Sequence, residues 1–175
     1  MLKRKNVFFA INSLNEIIQY VLPHFDQYPL VSKKLADYML FRSVVLIMES
    51  EGHLTEHGLQ KIVNIKASLN KGLTDKLIEA FPKTRPVDRP FVPEPIIPNP
   101  NLIAGFTSGD GSFTVGIQSK RNIISLSFSI SQHVRDKQLL QSIANYLKCG
   151  QAYLARTKES GNFFVSKFTL RAGYS

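Results

Sequence analysis

An α+β fold is predicted by a change of hydrophobic period partway along the chain. Before Pro82 the apolar side chains recur at helical spacing, whereas Ile124, Leu126, Phe128 and Ile130 alternate strictly with Ser125, Ser127, Ser129 and Ser131. The first pattern makes a greasy stripe on a helix; the second makes one greasy and one polar face on a strand. Between them, from Pro82 to Pro100, lie seven of the nine prolines, in a stretch that cannot supply the backbone donors of a helix or a central strand. The expected organisation is a mainly helical part over 1–81, a stiff, extended linker over 82–100, and a sheet-bearing part over 101–175.

Each element has a local reason. Ser13 and Glu16 form a capping box, and Leu14, Ile17, Ile18 and Val21 follow at helical spacing until Pro23, which is expected to stop the helix. A second helix is expected from about Ser32 to Glu49; its apolar residues (Leu35, Met39, Leu40, Val44, Val45, Ile47, Met48) run nearly all round, so it should be buried. Thr55 caps a third, which carries Leu59, Ile62 and Val63 and ends near Asn70 and Gly72. After the linker, Asn99-Pro100 starts a helix whose residues Leu102 to Gly109 are dense in small side chains. A strand over about Ser112 to Ser119 should pair with the serine-alternating strand through a turn at Lys120-Arg121-Asn122. A helix with Leu139, Leu140, Ile143 and Leu147 comes next, then strands near Ala152 to Arg156 and Phe163 to Leu170, joined at Glu159-Ser160-Gly161. The apolar face of Phe113, Ile124, Leu126, Phe128 and Ile130 should be covered by the helices of 13–72, within one chain or by exchange between two.

Composition narrows the function. With 43% hydrophobic against 20% charged residues the chain is no disordered tail, and its longest apolar runs are too short for a bilayer span. A single cysteine, Cys149, excludes an internal disulfide framework and a cysteine-based zinc site. A net charge of +9 favours a polyanionic partner, nucleic acid ahead of an anionic membrane surface. Residues 101–175 hold nine basic side chains against three acidic ones, so the sheet half is the basic half. A face of Ser, Gln and Lys can lie on phosphates and offer short hydrogen-bonding groups to base edges, although an ordinary solvated sheet has the same composition.

Two constellations bear on chemistry. In the run from Leu102 to Phe113, Gly105 and Gly109 stand four apart on one helical face, where another helix backbone can approach closely. Asp110 then falls at the helix end, where the negative pole of the dipole repels a carboxylate unless a cation lies near; a plain turn Asp beside Gly is the alternative. His53 and His57 also stand four apart, but Leu54 occupies the place of a zinc protease's glutamate and Thr55 breaks the helix between them.

The run IAGFTSGDGSF closely resembles the signature helix of the LAGLIDADG homing endonucleases of organelle introns, and FSISQHVRDKQLLQSIANYLKCG resembles their second strand and following helix. Upstream, FDQYPLVSKKLADYMLF, EGHLTEHGLQKIVNIKASLNKGLTD and KLIEAFP resemble the C-terminal half of the preceding repeat in single-chain members. The resemblance implies αββαββα content in permuted order, an antiparallel sheet backed by helices, and two signature helices packed together. It implies that Asp110, with the adjoining Gly111, holds a divalent metal, Mg²⁺, beside the scissile phosphates. Gln132 matches a polar residue that orders water, Lys34 a basic position after the YPL segment, and Ser108 the non-catalytic first Asp of the signature. By the same resemblance Thr114, Gln118, Lys120, Ser125, Ser127, Ser129 and Ser131, with Arg156 and Lys167, face nucleic acid.

The chain departs from the family's pattern in carrying one signature. It reads as beginning within the last strand of a first repeat (Lys3 to Ala10) and stopping within the last strand of a second (Phe163 to Arg171). The family's cleavage needs two signature carboxylates, so a second copy or a complementary polypeptide would have to supply the other. One expectation is therefore a fragment or assembling half of a metal-dependent double-strand DNA endonuclease. The other is a catalytically silent descendant, an RNA-binding maturase or an organelle ribosome component. No membrane partner is expected. The basic, briefly apolar N-terminus is interrupted by Asn12, Asn15 and Glu16, unlike a cleaved signal peptide, and the resemblance implies a mitochondrial location.

Overall fold

The computed structural model describes the backbone over 9–118, 123–154 and 160–171, and side chains as far as Tyr153. The chain forms two compact units, one made of the residues up to Leu30 with Lys34–Val92, the other of Val31–Lys33 with the residues from Pro93 onward.

In the first unit Ser13 caps α1 (Leu14–Glu16), its hydroxyl accepting from the Glu16 amide at 3.4 Å. The helix does not stop at Pro23. It widens into a π-turn (Ile17–Val21), with the Leu22 amide donating to the Ile17 carbonyl, and continues as α2 (Leu22–Gln27) with the proline in its first turn. In a regular ladder the Pro23 ring would press on the carbonyl four residues back; the extra residue of the π-turn opens the ladder there. Helix α3 (Lys34–Glu49) begins two residues later than expected, and it is not buried all round. Ala36, Asp37, Leu40 and Val45 are its buried positions, while Met39 and Leu46 are each 41% exposed, so the helix is packed along a stripe and not on every side. A 3₁₀ turn (Gly52–Leu54) leads to α4 (Glu56–Ser68), whose cap Thr55 accepts from the Gly58 amide at 3.0 Å. Asn70 and Gly72 take left-handed conformations after it, with φ of 52° and 75°. A short α5 (Asp75–Ala80) follows.

The Pro-rich stretch has no regular element over 84–99, yet it is held down along its length. Ser68 donates to the Val87 carbonyl at 2.5 Å, Arg89 reaches Asp37 at 2.9 Å, and Val92 is buried. On the other unit's side, Ser142 donates to the Pro95 carbonyl at 2.7 Å and Gln138 to Glu94 at 3.1 Å.

The second unit contains α6 (Pro100–Asp110), β1 (Gly111–Gln118), β2 (Ile123–His133), a 3₁₀ turn (Val134–Asp136), α7 (Lys137–Leu147), β3 (Gln151–Leu154) and β4 (Ser160–Arg171). The strands form one antiparallel sheet in the order β1-β2-β4-β3. The fold is thus α+β, with αββαββα content in permuted order. Leu139, Leu140, Ile143 and Ala144 of α7 bury Ile130 of β2 completely, and Ile103, Phe106, Ile97 and Phe128 pack around them. Each fully buried Leu or Ile among them contributes roughly 1.5–3 kcal/mol by leaving water. Burial falls away from the α7 end, leaving Leu126 50% and Phe113 79% exposed, with Phe113 stacked on Phe128 at 4.9 Å. The turn expected at Lys120-Arg121-Asn122 lies outside the described residues. Ser160 and Gly161 are strand residues and not turn residues, because Gly161 pairs with both Gln132 and Leu154.

Candidate metal centre and nucleic-acid interface

Helix α6 is capped by Asn99, whose side chain accepts from the Asn101 amide at 3.0 Å, and Pro100 occupies its first turn, where no donor is needed. It passes into β1 with no residue between them. The junction is possible because residue 111 is glycine: a Cβ there would lie 2.5 Å from the Thr107 carbonyl oxygen and 2.8 Å from its Cα. Gly111 has φ −84° and ψ 153°, which any residue adopts, so space and not torsion demands it. Gly111 serves the site by its size, and its N–H donates to the Thr107 carbonyl.

Asp110, the last helical residue, is exposed, and its Oδ2 accepts from Gln132 Nε2 at 2.6 Å. Two expected site residues, 22 positions apart, therefore meet. Ser108 donates to the Ala104 carbonyl of its own helix at 2.9 Å, as suits a residue outside the chemistry. Nothing lies within 4 Å of a Cβ built on Gly105 or Gly109, so the small-residue side of α6 is open.

Mg²⁺ keeps several waters and is commonly held by one or two carboxylates plus substrate phosphates. The exposed Asp110 oxygens, steadied by Gln132, fit one side of such a shared site. Among the described residues no group of three or more His, Cys, Asp and Glu converges. His53 and His57 fall in different elements, the 3₁₀ turn and α4.

The strand register puts Ser112 opposite Ser129, Thr114 opposite Ser127, Gly116 opposite Ser125 and Gln118 opposite Ile123. Thr114, Gln118, Ser125, Ser127, Ser129 and Ser131 thus share one face, while Gln132 alternates with them and shares the face of Ile130. Ser112 and Gly116 belong to this polar face too, as the period of two along β1 from Thr114 and Gln118 requires. Lys120 and Arg156 lie outside the described residues. Lys167 lies in β4 where its register against β2 shifts, between Phe168 opposite Leu126 and Val165 opposite Phe128.

Lys34 opens α3 in the first unit. Its Nζ donates to Asn70 Oδ1 at 2.8 Å and stands 3.3 Å from Asp37 Oδ2. Asp37 is 3% exposed. Burial pushes its carboxyl up, but the Arg89 hydrogen bond, the Asn70 amide and the two nearby cations outweigh this and hold it below the usual carboxylate value. Nearby, burial and the hydrogen bond to Asp26 push the Tyr38 hydroxyl up to about 12.

An open glycine-faced helix thus ends in an exposed carboxylate beside a polar-faced antiparallel sheet. The chain belongs to the LAGLIDADG endonuclease family, whose model matches residues 1–45 and 103–172. It is 32% identical over 174 residues to probable intron-encoded endonuclease 2 of Neurospora crassa, covering 94% of this chain and 38% of that protein. It is 33% identical over 181 residues to probable intron-encoded DNA endonuclease 1 of Mycosarcoma maydis, covering 90% and 63%. Among solved structures, the I-SmaMI homing endonuclease bound to cleaved DNA superposes with a TM-score of 0.83 at 40% identity, over 87% of this chain and 53% of that one. I-GzeII in complex with its DNA target gives 0.82 at 39%, over 87% and 54%. I-SmaMI has also been solved on DNA in the presence of calcium ions. The chain spans between about a third and two thirds of these proteins.

Proposed function

We propose that the chain is one signature-bearing half of a double-strand DNA endonuclease that uses a divalent cation, Mg²⁺ in the cell. The observation that carries this reading is the Asp110–Gln132 hydrogen bond at the end of the open helix α6. Asp110 holds the cation, Gln132 fixes the carboxylate and orders water, and Lys34 provides positive charge near the scissile phosphate. The bound cation would activate the attacking water and stabilise the leaving oxygen. The serine face and Thr114 and Gln118, with Lys120, Arg156 and Lys167, take up the duplex. A second signature helix, from a second copy or a complementary polypeptide, packs on Gly105 and Gly109 and brings the second carboxylate. The fungal, intron-encoded relatives support a mitochondrial site of action.

The deciding experiment is cleavage of an intron-free target duplex with Mg²⁺, by the chain with and without a polypeptide carrying a second signature helix. Cleavage that needs both the second helix and Asp110 is expected. Tight, salt-sensitive RNA binding or co-sedimentation with organelle ribosomes, with no cleavage under any combination, would replace this reading by the silent one.

A further inference from the structure

The geometry points to Asn70 and Asp37 as positioning residues that aim the Lys34 ammonium, an inference that rests on the proposed role of Lys34. A lysine carries a point charge on a flexible four-carbon stem, so a defined position needs a fixed acceptor. Asn70 is such an acceptor. Its Oδ1 takes the Lys34 proton at 2.8 Å, and its own amide donates to Asp37 Oδ1 at 3.3 Å, so it is held from one side and holds on the other. The left-handed backbone at Asn70, φ 52°, is one that Asn tolerates better than most residues. Asp37 is fixed in turn: Arg89 Nη2 donates to its Oδ1 at 2.9 Å while Arg89 Nη1 donates to the Ser68 carbonyl at 2.6 Å. The Arg89 clamp thus joins the end of α4 to α3. Asp37 Oδ2 faces Lys34 Nζ at 3.3 Å, an ion pair that adds charge attraction to the shorter contact with Asn70. All three groups line one cleft of about 440 Å³ whose other walls include Phe25, Phe41 and Leu69. Apolar walls make a fixed dipole count for more than it would in water.

Asn70→Gly isolates the effect. Glycine accepts the left-handed backbone and keeps the amide bond to Asp37, so only the acceptor for Lys34 is lost. In the chain assembled with a second signature helix, kcat should fall roughly 10- to 100-fold with DNA affinity and thermal midpoint nearly unchanged. Asn70→Asp, which retains the acceptor, should recover most of the rate, and in a Lys34→Ala background Asn70→Gly should change nothing further. A normal rate for Asn70→Gly, or an equal loss with and without Lys34, overturns the inference. Should Lys34→Ala itself cleave normally, the role of Lys34 fails first and this inference with it. A readout independent of cleavage is side-chain NMR of Lys34, which should show an ordered ammonium that becomes mobile in Asn70→Gly; unchanged order would also overturn the assignment.

Discussion

Replacing Gly105 by Ala asks with one methyl group whether α6 is a packing surface. In the chain by itself the new Cβ meets nothing within 4 Å, so the only local effect is on helix propensity. A glycine in a helix interior is about 0.5–1 kcal/mol worse than alanine. Gly105→Ala should therefore stabilise the isolated chain by up to about 1 kcal/mol, a fivefold change in its folding constant. In the assembly the same methyl would enter a helix crossing set by glycine, where overpacking costs roughly 1–3 kcal/mol. Opposite signs are expected from two measurements: a higher urea midpoint for the chain, and weaker association with the second signature helix, seen by sedimentation and by lower cleavage at limiting concentration. A chain destabilised by Gly105→Ala, or an assembly indifferent to it, would refute the reasoning.

Asp110→Asn keeps size and the partner of Gln132 but removes the charge; cleavage should vanish while DNA binding remains, and an unfolded variant would show Asp110 to be structural. Leu140→Ala, at a fully buried position, should cost about 2–5 kcal/mol in urea unfolding with an unchanged denaturant slope. Because the folded pKa of Asp37 is lowered, its contribution is complete above the unfolded carboxylate value of about 3.9 and is lost as pH falls through the lower folded value. Asp37→Asn should accordingly lower stability at neutral pH and flatten the acid limb of the stability profile; an unaltered acid limb would contradict this. Lys120→Ala should weaken DNA binding and reduce the salt slope by about one, which a titration across salt concentrations reads directly.

The elements whose burial follows one period were legible in the sequence. The serine alternation of β2, the caps Ser13, Thr55 and Asn99, and the stripe of α7 all stand where spacing puts them. Pro23 misled because a π-turn is a property of the ladder and leaves no mark in composition. The all-round apolar pattern of α3 overstated its burial, and the buried carboxylate among those residues, Asp37, finds its partners 33 and 52 positions away. Such pairings are invisible to local pattern. That Asp110 and Gln132 belong to one site was implied by family resemblance alone, and their hydrogen bond is visible only in the structure, since no periodicity links a helix end to a strand end.

The absence of any residue between α6 and β1 restricts how the site can vary in length. One residue inserted within α6 would rotate Asp110 about 100° around the helix axis. One inserted just after Gly111 would swap the two faces of β1, turning Phe113 and Val115 toward the serine-bearing face and Thr114 away from it. Neither change can be absorbed by a loop. Insertions and deletions compatible with activity are therefore confined to other junctions, and in grafting experiments Asn99 to Gln118 has to travel as one uninterrupted cassette.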